Sequence, residues 1–94
     1  MRAAYYEQNG GAREVLRVDE VETPHPHTGE VRVKLATSGV NPSDVKSRAG
    51  ATRKIAWPRV IPQSDGAGVI DEVGDGVSPS RVGERVWVWN GQWR

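Results

Sequence analysis

The chain has 94 residues, 13 basic and 12 acidic side chains giving a formal net charge of +1, and a mean hydropathy of −0.61. Its near-neutral balance offers no electrostatic footprint for nucleic acid or a membrane surface, and no window approaches the roughly 18 apolar residues of a membrane span. The absence of cysteine excludes disulfides and thiolate metal sites, and 36% apolar residues fill one thin core, so a single small cytoplasmic domain over residues 1–94 is expected.

Ala3–Tyr6 reads as a first strand ended by the turn cluster Asn9-Gly10-Gly11, and Met1–Glu7 lacks the apolar run of a secretory signal. Val15, Leu16, Val18 and Val21 predict a second extended stretch, closed by Thr23-Pro24-His25-Pro26, where two prolines forbid regular ladder bonding. His25 and His27 in that loop have no third ligand nearby and read as solvated. Glu30–Ala36 is the clearest strand, with Val31, Val33 and Leu35 alternating with charged residues. Pro42–Ala49 is the one segment suited to a helix: Asn41 suits the N-cap, Pro42 the first turn and Gly50 the stop.

Gly66–Gly74 predicts a strand whose glycines let a backbone or ligand come close. Asp71, Glu72 and Asp75 read most simply as a solvated edge. Gly66-x-Gly68 does not extend into a dinucleotide-binding fingerprint, and no helix follows it. Val82–Trp89 predicts another strand, its last four residues all apolar and so covered on both faces. Asn90-Gly91 is a strong hairpin signal, but the returning arm is only Gln92-Trp93-Arg94, so the sequence reads as a piece of a longer protein. Short strands with one short helix predict a small, mainly β, partly open barrel.

Two polar clusters interrupt apolar surroundings. Gly39-Val40-Asn41-Pro42-Ser43-Asp44 sits where a strand meets a helix, a junction whose side chains often face a cleft and whose unpaired N–H groups meet ligands; taken alone, it reads more simply as a pair of helix caps, Asn41 and Ser43. Pro62-Gln63-Ser64-Asp65-Gly66-Ala67-Gly68 opens a glycine-rich strand; taken alone, it is an ordinary turn. Ser38, Ser43, Ser47 and Ser64 have no histidine close in sequence, so no free-standing catalytic triad is legible.

In order and spacing, G-V-N-P-S-D, then I-P-Q-S-D-G-A-G-V-I-D-E-V-G-D-G-V, then V-G-E-R-V resembles the N-terminal domain of medium-chain dehydrogenases/reductases, over nearly the whole chain. The resemblance implies a GroES-like β-barrel carrying the substrate side of an active site, incomplete here. The Rossmann domain that binds NADPH is then expected beyond residue 94, and the isolated fragment is expected to be inactive. Zinc-dependent members place a cysteine where Asn41 stands and a histidine in the motif occupied by Gln63–Gly68. An amide and a hydroxyl suit this ion poorly, so no zinc and no other metal is expected.

The two clusters look instead like the zinc-free quinone oxidoreductase branch. There the resemblance makes Asn41 the catalytic residue that positions nicotinamide or substrate. Asn41, Lys46 and Ser64 are then the positions facing substrate or cofactor, with Ser43, Asp44 and Asp65 supporting them from behind. Lys46 stands where several quinone reductases carry a tyrosine, which favours an anionic or polar carbonyl acceptor or a solvent-facing ammonium. The implied activity is hydride transfer from NADPH to a quinone or an activated C=C or C=O bond, by a homodimeric full-length enzyme without nucleic-acid or membrane partners. An enoyl-thioester reductase of the same superfamily is the alternative enzyme. A small β-barrel acting as a non-enzymatic binding module is the alternative outside catalysis, with Gly50–Trp57 its one candidate mobile loop.

Overall fold

A computed structural model describes residues 1–50, 58–62, 64–89 and 91. In chain order the elements are β1 (Arg2–Tyr5), α1 (Ala12–Val15), β2 (Arg17–Glu20), β3 (Val31–Ser38), α2 (Pro42–Ala49), β4 (Asp65–Val73), a 3₁₀ turn (Pro79–Arg81) and β5 (Arg85–Trp89). They form two antiparallel sheets, β1-β2 and β3-β4-β5, rather than a closed barrel among the described residues.

β1 and β2 pair from Arg2↔Glu20 to Tyr5↔Arg17, and the Tyr5 hydroxyl donates to Asp19 at 3.0 Å. The connection between them differs from expectation. Val15 ends a helical turn instead of beginning an extended stretch, so the chain has a second short helix. The physical reason is tertiary: Gly10 and Gly11 let the chain turn back, and Val15 is thereby buried against Tyr6 and Val60 in the small core. A side chain at Gly10 would meet Val15 Cγ1 at 2.8 Å. Tyr6, 1% exposed, is tied to Val60 by reciprocal backbone hydrogen bonds of 2.9 Å.

β3 runs two residues past its predicted end and pairs with β4 through two irregularities, at Arg32/Val33 and Leu35/Thr37. The close approach expected of the β4 glycines is real: a Cβ at Gly68 would overlap the Lys34 carbonyl group. Ile70 is fully buried beneath the loop that returns to β5, where it exchanges backbone hydrogen bonds with Gly83 and Glu84 at 2.8 and 3.0 Å.

Two expectations fail in this sheet. Asp71 and Glu72 are not a merely solvated edge, because Arg32, across the ladder on β3, donates to Asp71 at 2.9 Å and lies 2.8 Å from Glu72. Glu72 also meets His25 at 3.0 Å, which ties the proline-rich loop to the sheet. β5, for its part, is covered on one face only. Val86 and Val88 are half-buried, while Trp87 and Trp89 are 76% and 75% exposed. Strand β5 is the edge of a three-stranded antiparallel sheet, and alternation sends its tryptophans to the open side. The candidate loop Gly50–Trp57 beyond its first residue, Gln63, Asn90 and Gln92–Arg94 lie outside the described residues. Among the described residues, no helix is long and apolar enough to cross a membrane.

Candidate functional site

The two polar clusters meet at the N-terminus of α2 and the first residues of β4. Helix α2 occupies its predicted bounds: Asn41 is the extended N-cap, Pro42 opens the first turn, and Gly50 ends it in the left-handed region at φ 85°. Asp44, three residues into the helix, is 7% exposed, and its carboxylate accepts the Asn41 backbone N–H at 2.8 Å. The Ser64 hydroxyl donates to the other Asp44 oxygen at 3.3 Å. Asp44 thus satisfies a helix-terminal donor, with its charge at the positive end of the helix.

Asn41 also reaches across to the start of β4. Its amide Nδ2 donates to Asp65 Oδ1 at 2.7 Å, which fixes the carboxamide plane and leaves the second N–H of that amide for another acceptor. Asp65 is anchored in turn, its carbonyl oxygen accepting the Gly39 N–H at 2.8 Å. Its carboxylate lies against Gly39 so closely that any Cβ there would overlap it. Asn41, Asp44, Ser64 and Asp65 therefore form one hydrogen-bonded unit.

Ser43 and Lys46 stay outside that unit. Both are exposed on α2, and Ser43 does not cap the helix, a task that Asn41 and Asp44 perform together. An open cleft of about 340 Å³ adjoins the unit at Asp65, and Thr37, Ser38 and Trp87 also line it. Asn41 reaches this cleft through Asp65. Sequence reasoning missed Trp87 as a cleft residue, because an apolar run read as covered on both faces gave no sign that this side chain, paired opposite the small Ala67, stands exposed. It also missed Tyr6, whose phenol is held above its usual 10.0, first by burial and then by the charge of Asp44, with Arg48 opposing. Among the described residues, no three His, Cys, Asp or Glu side chains converge to hold a metal ion.

Comparison with known proteins places this arrangement. Residues 27–93 match the alcohol dehydrogenase GroES-like domain. The chain belongs to that family. Among curated relatives, the GroES-like domain is 38% identical to quinone oxidoreductase of Rattus norvegicus over 96% of its own length and 27% of the relative's. It is 36% identical to mitochondrial enoyl-[acyl-carrier-protein] reductase of Xenopus tropicalis, over 93% of its length and 24% of the relative's. Among solved structures, a cobalt- and zinc-bound thermostable alcohol dehydrogenase from Pyrobaculum aerophilum is 41% identical and superimposes with a TM-score of 0.80, over 93% of this chain and 25% of that one. The relatives are oxidoreductases of the medium-chain superfamily, and the chain spans about a quarter of the length of the curated relatives it matches.

Proposed function

We propose that this GroES-like domain is the substrate side of an NADPH-dependent, zinc-free oxidoreductase that delivers hydride to a quinone or an activated C=C or C=O bond. A Rossmann domain in the remainder of a longer, homodimeric enzyme would hold the cofactor. The observation that carries the reading is the Asn41–Asp65 hydrogen bond, which orients a carboxamide at the strand-to-helix junction while leaving it one N–H to give.

The donor set does not fit zinc. Asn41 and Ser64 stand where zinc-dependent members of the family carry a cysteine and a histidine, and both are already committed to Asp65 and Asp44. Amide and hydroxyl oxygens are weak ligands for an ion that favours thiolate and imidazole. Gly66-Ala67-Gly68 lies inside strand β4 instead of at a strand–helix turn, so no described segment cradles a pyrophosphate. What the chain offers is a carboxamide tethered to Asp65, which lines an open cleft together with Trp87.

When bound, the cofactor supplies the hydride. Asn41 holds the acceptor's carbonyl or the nicotinamide carboxamide in line and donates to the oxygen on which charge develops. Asp65 keeps that amide from rotating, and Asp44 with Ser64 holds the helix end that carries it. Lys46, exposed on α2, would favour polar or anionic carbonyl acceptors if it meets the substrate. Enoyl thioesters are the second acceptor class, supported by the Xenopus tropicalis relative.

The test is steady-state reduction of 1,4-benzoquinone and of a 2-enone by the full-length enzyme. Asn41→Ala is expected to lower kcat/KM by about tenfold or more, the scale of one lost positioning hydrogen bond. Unchanged kinetics would reduce Asn41 to a helix cap and sink the reading.

A further inference from the structure

Helix α2 carries the site but has almost no apolar anchorage. Of its residues only Asp44 is buried, while Pro42, Val45 and Ala49 are exposed. Two helical turns are not stable alone. Among the described residues, then, α2 is held chiefly by polar contacts at its two ends. The first end is the Asn41–Asp44–Ser64–Asp65 unit.

The other end is gripped by the turn after β1. Asn9 Nδ2 donates to the carbonyl oxygens of Ser47 at 3.0 Å and Arg48 at 3.2 Å. The Gly10 N–H donates to the same Arg48 carbonyl at 2.9 Å, and Arg48 Nε donates back to the Gly10 carbonyl at 3.3 Å. Both are last-turn carbonyls, and that of Ser47 also accepts the Gly50 N–H at 3.2 Å. Gly50 packs so tightly here that a Cβ on it would lie 3.3 Å from Asn9 Cβ.

We propose that Asn9 is a positioning residue of the active site: by fixing the last turn of α2, it sets the orientation in which the helix presents Asn41 at its first. The inference rests on the reading above, in which Asn41 meets acceptor or nicotinamide. Without the Asn9 amide the Gly10–Arg48 contacts still tie the far end of α2, but the last turn is loosened, and a small tilt there is carried along the helix to Asn41. A displacement of even an ångström at a reacting centre costs heavily in rate.

The experiment uses the full-length enzyme and the same two acceptors, with Asn9→Ala, Asn9→Ser, Asn41→Ala and the Asn9→Ala/Asn41→Ala pair, all assayed where circular dichroism shows each variant folded. Asn9→Ala is expected to lower kcat and kcat/KM together by about three- to tenfold, the pattern of an interaction felt in the transition state. Asn9→Ser, which keeps one donor, recovers part of the loss. In the double variant the Asn9 change adds nothing further, because it acts through a group already removed. Hydrogen exchange at the Asn41 and Asp44 amides is faster in Asn9→Ala without any substrate present. If Asn41→Ala is damaging while Asn9→Ala is silent, or the two losses multiply, the positioning role is overturned and the catalytic reading survives. If Asn41→Ala is itself silent, both fall.

Discussion

Replacing Asp44 with alanine removes the acceptor at the centre of the site. The carboxylate takes one hydrogen bond of 2.8 Å from the Asn41 backbone and a longer one of 3.3 Å from Ser64. A hydrogen bond to a charged group contributes roughly 1.5–3 kcal/mol; the short one counts fully and the long one for about half. A negative charge in the first turn of a helix adds roughly 0.3–1 kcal/mol. Against this gross loss of about 3–5 kcal/mol stands the cost of keeping a carboxylate that is only 7% exposed away from water, which the variant no longer bears. The net expectation is a destabilisation of about 2–3 kcal/mol. In a domain of this size that corresponds to a fall of on the order of 10–20 °C in Tm, readable by thermal unfolding followed by circular dichroism. Asp44→Asn keeps the shape and one acceptor oxygen and should lose about half as much. An Asp44→Ala variant within about 0.5 kcal/mol of the parent would refute the assignment of Asp44 as the group that secures the helix entry, since that is the scatter of ordinary surface changes.

Three further outcomes are expected. Gly68→Ala drives a methyl group into the Lys34 carbonyl and should destabilise by about 1–3 kcal/mol in urea unfolding; a neutral result would mean that β3 and β4 separate freely. The Tyr6 phenol is held above 10.0 by burial and then by Asp44, so the folded protein keeps a proton that the unfolded chain releases. Stability from this group is therefore complete below pH 10 and is lost as pH rises beyond it. Tyr6→Phe should flatten that decline in unfolding midpoints, and an unchanged slope would argue against burial holding the Tyr6 phenol protonated. Elemental analysis of the full-length enzyme should find no stoichiometric zinc at the Asn41–Ser64 position, and one bound zinc there would reverse the metal assignment.

Much of this architecture was legible because the signals are local. The bounds of α2 follow from Asn41-Pro42 at one end and Gly50 at the other, and the existence of β3, though not its last two residues, from the Val31–Leu35 alternation. What could not be read depends on residues far apart in the chain. Val15 turns helical because Tyr6 and Val60 are there to receive it. Arg32 claims Asp71 and Glu72 only once β3 and β4 are in register. An apolar run such as Val86–Trp89 has the same appearance whether one face is covered or both, so the exposure of Trp87 follows from its place at the sheet edge. Within the site, each polar cluster could be taken alone as a cap or a turn. Their meaning comes from the Asn41–Asp65 contact, which spans 24 residues of sequence.

The contact between Gly39 and the Asp65 carboxylate has a consequence for how this site can change over mutational time. The two positions are epistatic. No side chain can enter at 39 while an aspartate occupies 65 in this pose, and a residue at 65 too short to fill the space removes the veto on 39. Gly39→Ala by itself should evict the carboxylate and release the Asn41 amide, whereas Gly39→Ala combined with Asp65→Gly should fold as well as the parent yet leave Asn41 free to rotate. A route that rebuilds this junction for another chemistry keeps Asn41 fixed only while position 39 stays glycine, and a change at 39 without one at 65 loses the Asn41 anchor.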